Sequence, residues 1–149
     1  MKFGLPMASA MTVLAYGGIS YEDNYRAAGE YKNLLDAVRW GTDYFLKAHV
    51  SPNELYCQVG DGHADHAYPG RPETMNIHRP AYKIDSNNPG SDCAGETAAS
   101  LAAAAVLFQD EDPEYSSTLL THAKELYSFA DSSRGKYSDS IPAANPFYT

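Results

Sequence analysis

Apolar residues recur at helical spacing in four stretches of the chain, and one long stretch between them has no period. Met7, Met11 and Leu14 stand at i, i+4 and i+7, which places them on one helix face. Pro6 suits the first turn of that helix and Gly17-Gly18 its end. A longer helix is predicted from about Arg26 to His49. Leu34, Val38, Gly41 and Phe45 lie along one face, Leu35, Trp40 and Tyr44 widen it, and Ser51-Pro52 stops it. On this pattern Trp40, Tyr44 and Phe45 belong to the core, His49 is an ordinary helix residue, and the two helices form a hairpin.

The third helix is announced by Asn88-Pro-Gly-Ser-Asp92, where Ser91 or Asp92 caps and Glu96 complements the dipole of the first turn. From Ala94 to Phe108 nearly every residue is small or apolar, as in a helix buried on several sides. Asp112-Pro113-Glu114 opens the fourth helix with a cap, a first-turn proline and an acid. Leu119, Ala123, Leu126 and Ala130 form its inner face, Leu120 and Tyr127 lie beside them, His122 is an ordinary helix residue, and Gly135 is its stop. Two hairpins predict an all-α architecture, stacked or toroidal, although they are too dissimilar to form a sequence repeat.

Between the hairpins, from about Ser51 to Gly90, neither helical nor alternating spacing is present, and more than half of the chain's prolines gather there. A loop of that length inside a compact domain is functional or disordered. Tyr56, Tyr68 and Tyr82 together with mixed charges argue for order. The segment is therefore expected to be a long ordered binding loop.

Composition narrows the partners. The chain has 149 residues, 44% of them hydrophobic, enough for one ordinary domain with a core. A net charge of -8 repels phosphate backbones and anionic bilayers, so nucleic acid and membrane are not expected partners. No apolar run approaches the roughly 20 residues of a membrane span, and no signal-peptide pattern is present. Cys57 and Cys93 make no disulfide framework. Two isolated thiols are the favoured reading and a bridge the alternative, because nothing in their spacing argues for proximity.

Candidate chemistry concentrates in Cys57–Glu73. Asp61, His63, Asp65 and His66 stand among Gly60, Gly62 and Gly70, and Tyr68 adds an aromatic surface. The four polar residues have metal-ligand types but no recurring ligand pattern, so loop hydrogen bonding is favoured over a metal, and no metal ligands are assigned. Asp61 and Asp65 are read as turn-shaping rather than as a general acid and base. Asp92 and Glu96, at i and i+4, are more simply a cap and a first-turn acid than a catalytic pair.

Six blocks carry a resemblance: Lys2-Phe-Gly-Leu-Pro-Met-Ala8, Ala37-Val-Arg-Trp-Gly-Thr-Asp-Tyr-Phe-Leu-Lys-Ala-His49, Gln58-Val-Gly-Asp-Gly-His-Ala-Asp-His66, Arg79-Pro-Ala-Tyr-Lys-Ile-Asp85, Pro89-Gly-Ser-Asp-Cys-Ala-Gly-Glu-Thr-Ala-Ala99 and Arg134-Gly-Lys-Tyr-Ser-Asp139. In this order they resemble the family 9 glycoside hydrolases, cellulases that hydrolyse β-1,4-glucan with inversion. The resemblance implies a partial (α/α)6 barrel, about a third of the six-hairpin toroid, in one piece without an internal boundary. It also implies a secreted, extracellular parent acting on cellulose or a related β-glucan.

Inverting hydrolysis needs a carboxylic acid and a carboxylate base about 6.5–9.5 Å apart. The resemblance places the base in an Asp-Ala-Gly-Asp motif just upstream of Lys2 and the acid near the family's C-terminus. Both ends of the chain read as cuts on that comparison, and no catalytic residue is assigned. Calcium ligands of many members would fall beyond Thr149, so no cofactor is expected in this chain, and the resemblance leaves calcium open for an intact parent.

The resemblance assigns substrate contact to His66 and Tyr148. Where the family has a tryptophan platform this chain has Pro69, which leaves Tyr68 as the candidate aromatic at that subsite. The alternative reading is a stand-alone, non-catalytic carbohydrate-binding or helical interaction module.

Overall fold

The computed structural model describes residues 1–148. Strand β1 (Lys2–Phe3) leads directly into helix α1 (Gly4–Ser20), followed by α2 (Glu22–Ala28) and α3 (Tyr31–Ala48). The helix expected from Arg26 is thus two helices. Gly29 adopts the left-handed conformation (φ 75°) and closes α2, a position that glycine takes without steric cost. By contrast, α1 runs through Gly17-Gly18 instead of stopping there. Gly18 serves close packing, since a Cβ on it would lie 2.6 Å from Leu34 Cδ2.

The expected forty-residue loop is largely structured. It contains β2 (His49–Ser51), β3 (Glu54–Val59), the short helix α4 (Gly62–Ala67), a 3-10 turn at Pro72–Thr74 and β4 (Ala81–Ile84). Strand β3 is the hub of a small antiparallel sheet, with β1 and β2 paired along it and β4 joined to it as well. The architecture is therefore mostly helical with a sheet, which corrects the all-α expectation. Its strands escaped the pattern for a physical reason. Strands β1 and β2 are only two and three residues long, and a register shift between Tyr56 and Gln58 breaks the alternation of β3.

Helices α5 (Ser91–Leu107) and α6 (Pro113–Ser132) follow, then α7 (Tyr137–Ser140) and a 3-10 turn at Pro142–Ala144. Packing centres on α5, against α1 on one side and α6 on the other. Ala94, Ala98, Ala104 and Ala105 of α5 are buried, as are Ala8 and Ala15 of α1, so small side chains set these close approaches. Leu101, Leu119, Leu126 and Phe129 fill the space between α5 and α6. The core is one contiguous cluster that includes Leu55 and Ile84 of the sheet. Helix α5 is nevertheless open on one side: Val106 is exposed, and a groove of about 890 Å³ runs along α5 and α6, lined by Ala98, Ala102, Ala123 and Tyr127 among others. Among the described residues no helix is long and apolar enough to cross a membrane.

Of the three aromatics expected in the core of α3, only Phe45 is fully buried. Tyr44 is partly covered, with the Lys2 ammonium 4.5 Å above its ring, and Trp40 is 79% exposed. The reason lies in the seam between α3 and α6, which is polar. Arg39 pairs with Asp112 at 2.7 Å, Thr42 meets the Tyr115 hydroxyl at 2.7 Å, and His49 meets His122 at 2.8 Å, each pair 73 residues apart. A constant separation means parallel helices in fixed register, and Trp40 falls on the side that this register turns outward.

Asp112 caps α6 as expected, accepting from the Tyr115 N–H, and Pro113 takes the first helical position. The start of α5 differs from expectation. Gly90 is its N-cap residue, while the Ser91 hydroxyl donates to the Gly135 carbonyl and Asp92 accepts from the N–H groups of Cys93 and Tyr137. These polar groups tie α5 to the turn after α6.

Candidate substrate-binding surface

Helix α4 follows directly from the central strand. Asp61 is its N-cap, its Oδ1 accepting from the Ala64 N–H at 2.8 Å. Asp65, one turn later, accepts from the Met1 amino group and from the Arg79 guanidinium. Those two cations hold its carboxyl below the usual carboxylate range. Both aspartates are thus engaged in holding the backbone, Asp61 within α4 and Asp65 between α4 and the segment before β4.

That leaves His63 and His66 for outward contact. Both are exposed, and both rings lie 5.6 Å from the ring of Phe147, His66 edge-on. Gly62 makes this possible, because a Cβ there would come within 2.4 Å of the Phe147 ring. Phe147 also packs on Phe3 at 5.3 Å, and Phe3 is met edge-on by Tyr148 at 4.9 Å. Three segments far apart in sequence, β1, α4 and residues 147–148, therefore converge on one aromatic corner. His66 and Tyr148 are brought to this corner.

Tyr148 borders a hollow of about 280 Å³ together with Leu5, Asp92, Tyr137, Ser138 and Phe147. The Tyr137 hydroxyl is buried without a hydrogen-bond partner, and burial pushes its phenol up to about 12. The sequence alone assigns no role to Tyr137, Phe3 or Phe147. Phe3 and Tyr137 lie within matched blocks and Phe147 stands beside Tyr148, and only the fold brings them together.

Tyr68 is placed differently. Its hydroxyl donates to the Thr74 carbonyl at 3.2 Å, and its ring lies over Gly70, where a Cβ would sit 2.7 Å away. The ring thus folds onto its own loop, half-buried, while Pro69 stands exposed beside it.

Beneath this surface Cys57 and Cys93 form a disulfide, with Cα atoms 6.5 Å apart. The expectation of two isolated thiols is overturned. Both residues are fully buried, and the bond fastens β3 to the start of α5. Sequence spacing concealed this because the two cysteines stand 36 positions apart and the chain between them folds back through α4 and β4.

The frame that carries this aromatic corner and its exposed imidazoles can be compared with known proteins. The family model described as glycosyl hydrolase family 9 matches residues 1–149. The chain belongs to this family. Curated relatives include Endoglucanase 7 of Oryza sativa subsp. japonica, 53% identical over 148 residues, and Endoglucanase A of Bacillus pumilus, 52% identical over 148 residues. Each alignment covers 99% of this chain, but 28% of the rice protein and 22% of the bacterial one. This family 9 chain thus spans less than a third of those relatives' length.

Among solved structures, the endoglucanase from the termite Nasutitermes takasagoensis superposes with a TM-score of 0.97 at 59% identity, over 99% of this chain and 34% of that one. The cellulase Cel9M of C. cellulolyticum superposes at 0.88 with 33% identity, over 96% and 37%. The helical frame and sheet are therefore a family 9 arrangement.

Proposed function

We propose that this chain forms part of one catalytic domain that hydrolyses β-1,4-glucosidic bonds in cellulose or related glucans, with inversion of configuration. The observation that carries the reading is the match of the whole chain to family 9, supported by the 0.97 superposition on a termite endoglucanase. In this reading the chain supplies one wall of the cleft and about a third of a helical barrel, and the reacting carboxylates lie outside residues 1–149. The open α5–α6 groove, lined by alanines and Tyr127, is the face on which further barrel helices would pack.

His66 and Tyr148 are the proposed sugar contacts. An exposed imidazole offers a hydrogen bond to a hydroxyl, and a tyrosine ring offers an apolar face to the C–H side of a pyranose. Tyr68, turned onto its own loop, serves that subsite by shaping it. Cellulases similar to this chain have been crystallised with cellobiose and with cellotriose, which fits a β-1,4-linked ligand here. Secretion is proposed as well, since a buried disulfide suits an oxidising compartment.

Titration of the protein with cellotetraose, followed by histidine and tyrosine NMR signals, tests the reading. His66 and Tyr148 signals are expected to move, and His66→Ala to weaken binding by about 3- to 10-fold, the value of one hydrogen bond. Unchanged signals at both residues, with ligand bound elsewhere, would remove this surface from the cleft. These 149 residues alone are expected to leave carboxymethyl cellulose uncut. Turnover abolished by Asp61→Asn or Asp65→Asn would reassign the catalytic groups.

A further inference from the structure

The last rung of the α3–α6 seam differs chemically from the others. His49 closes α3 and begins β2, and its side chain is 1% exposed. Its Nδ1 lies 2.8 Å from Nδ1 of His122, and its Nε2 is buried with no hydrogen-bond partner. One turn beyond His122, at i+3 on the same face of α6, Glu125 brings Oε2 to 3.9 Å from that orphaned nitrogen. Donor atoms of all three residues fall within 4.8 Å of one another, which no other group of three His, Cys, Asp or Glu residues achieves among the described residues.

By spacing alone His49 and His122 are ordinary helix residues, and a bare imidazole pair explains their contact only in part. One nitrogen donates to the other across 2.8 Å, yet the second His49 nitrogen stays dry and unsatisfied, which costs free energy in a buried position.

We propose that His49, His122 and Glu125 bind one divalent zinc-class cation. Two imidazoles and one carboxylate form a donor set of borderline softness, suited to zinc and unlike the all-oxygen sets of calcium or magnesium. Ligand bonds of about 2.0–2.2 Å place tetrahedral donors roughly 3.3–3.5 Å apart. The orphaned His49 Nε2 stands 3.9 Å from Glu125 Oε2, and one donor atom of each of the three residues lies within 4.8 Å of the others, so side-chain rotations that give up the 2.8 Å Nδ1–Nδ1 contact close the set around one ion. Glu125 is 38% exposed, which leaves the outward side open for a water as fourth ligand. The ion would clamp the end of α3 and the start of β2 to α6. This site stands apart from the aromatic corner of Phe3, His66 and Phe147, and its role is structural.

Zinc chloride titrated calorimetrically into chelator-stripped protein tests the assignment. One zinc per chain is expected, together with a thermal unfolding midpoint raised by a few degrees at saturating zinc. His122→Asn and Glu125→Gln, both at partly exposed positions, are each expected to weaken binding by at least about tenfold and to abolish the midpoint rise, with circular dichroism confirming that they fold. A readout without substitution is paramagnetic broadening by cobalt(II), which should appear first on His49 and His122. Absence of stoichiometric binding, equal affinity in the variants, or broadening confined to His63, His66 and His78 would overturn the site.

Discussion

Cys57 and Cys93 are covalently joined, with Cα atoms 6.5 Å apart, although they stand 36 positions apart in the chain. The bond crosses from the central strand to the first turn of the most buried helix, so it closes the α4–β4 segment into a loop.

Closing a loop of that length removes denatured-state entropy worth about 3–4 kcal/mol in the chain-entropy view. Cys57→Ser with Cys93→Ser is expected to lower stability by roughly that amount. Urea denaturation of the double variant checks it. An unchanged midpoint would mean the bond contributes nothing to the folded state.

Gly62 is expected to tolerate no side chain. Gly62→Ala puts a methyl 2.4 Å from the Phe147 ring, and relieving such a contact costs about 1–3 kcal/mol. Because Phe147 also supports His66 and Phe3, cello-oligosaccharide binding should weaken together with thermal stability. Calorimetry and a melting curve on the same sample separate the two effects.

Trp40 gives the opposite expectation. At 79% exposure its truncation removes little buried surface, so Trp40→Ala should change stability by no more than about 0.5 kcal/mol. A loss typical of a core aromatic would place the residue inside the fold instead.

Acid should weaken the helix α6 cap. The Tyr115 N–H and the Arg39 guanidinium hold the Asp112 carboxyl below its ordinary value. A depressed carboxylate contributes stability that is present above the unfolded pKa, about 3.9, and lost as pH falls through the folded value. Melting temperature should therefore drop below about pH 4. Asp112→Asn keeps a capping acceptor and should flatten that drop, and an unaltered acid profile would assign it to other carboxylates. Asp85, depressed by the N–H groups of Asn88 and Asn87, adds to the slope with the same sign.

Much of the frame was legible from the order of residues. The i, i+4, i+7 spacing, the Asp112-Pro113 start and the alanine run locate helices α1, α3, α5 and α6, because such helices obey rules of local spacing and capping. Turn chemistry gave Asp61 a backbone-capping role, and its Oδ1 accepts from the Ala64 N–H as the N-cap of α4. Strand β3 was not legible, since two of its three partners, β1 and β4, lie far away in the chain, its neighbour β2 is only three residues long, and its bulge breaks the alternation.

What the residues alone determined, then, is the set of local structures: where helices begin, which faces are apolar, and which loop is rich in polar chemistry. Tertiary structure decided everything that depends on two distant segments meeting. The Cys57–Cys93 bond, the outward turn of Trp40, the Phe147 contact that sets His66 and the His49–His122–Glu125 cluster all arise from packing register, 73 residues across the α3–α6 seam in the last case. Local spacing constrains a few consecutive dihedral angles, whereas register is fixed only when whole faces bury each other, so no reading along the chain contains it.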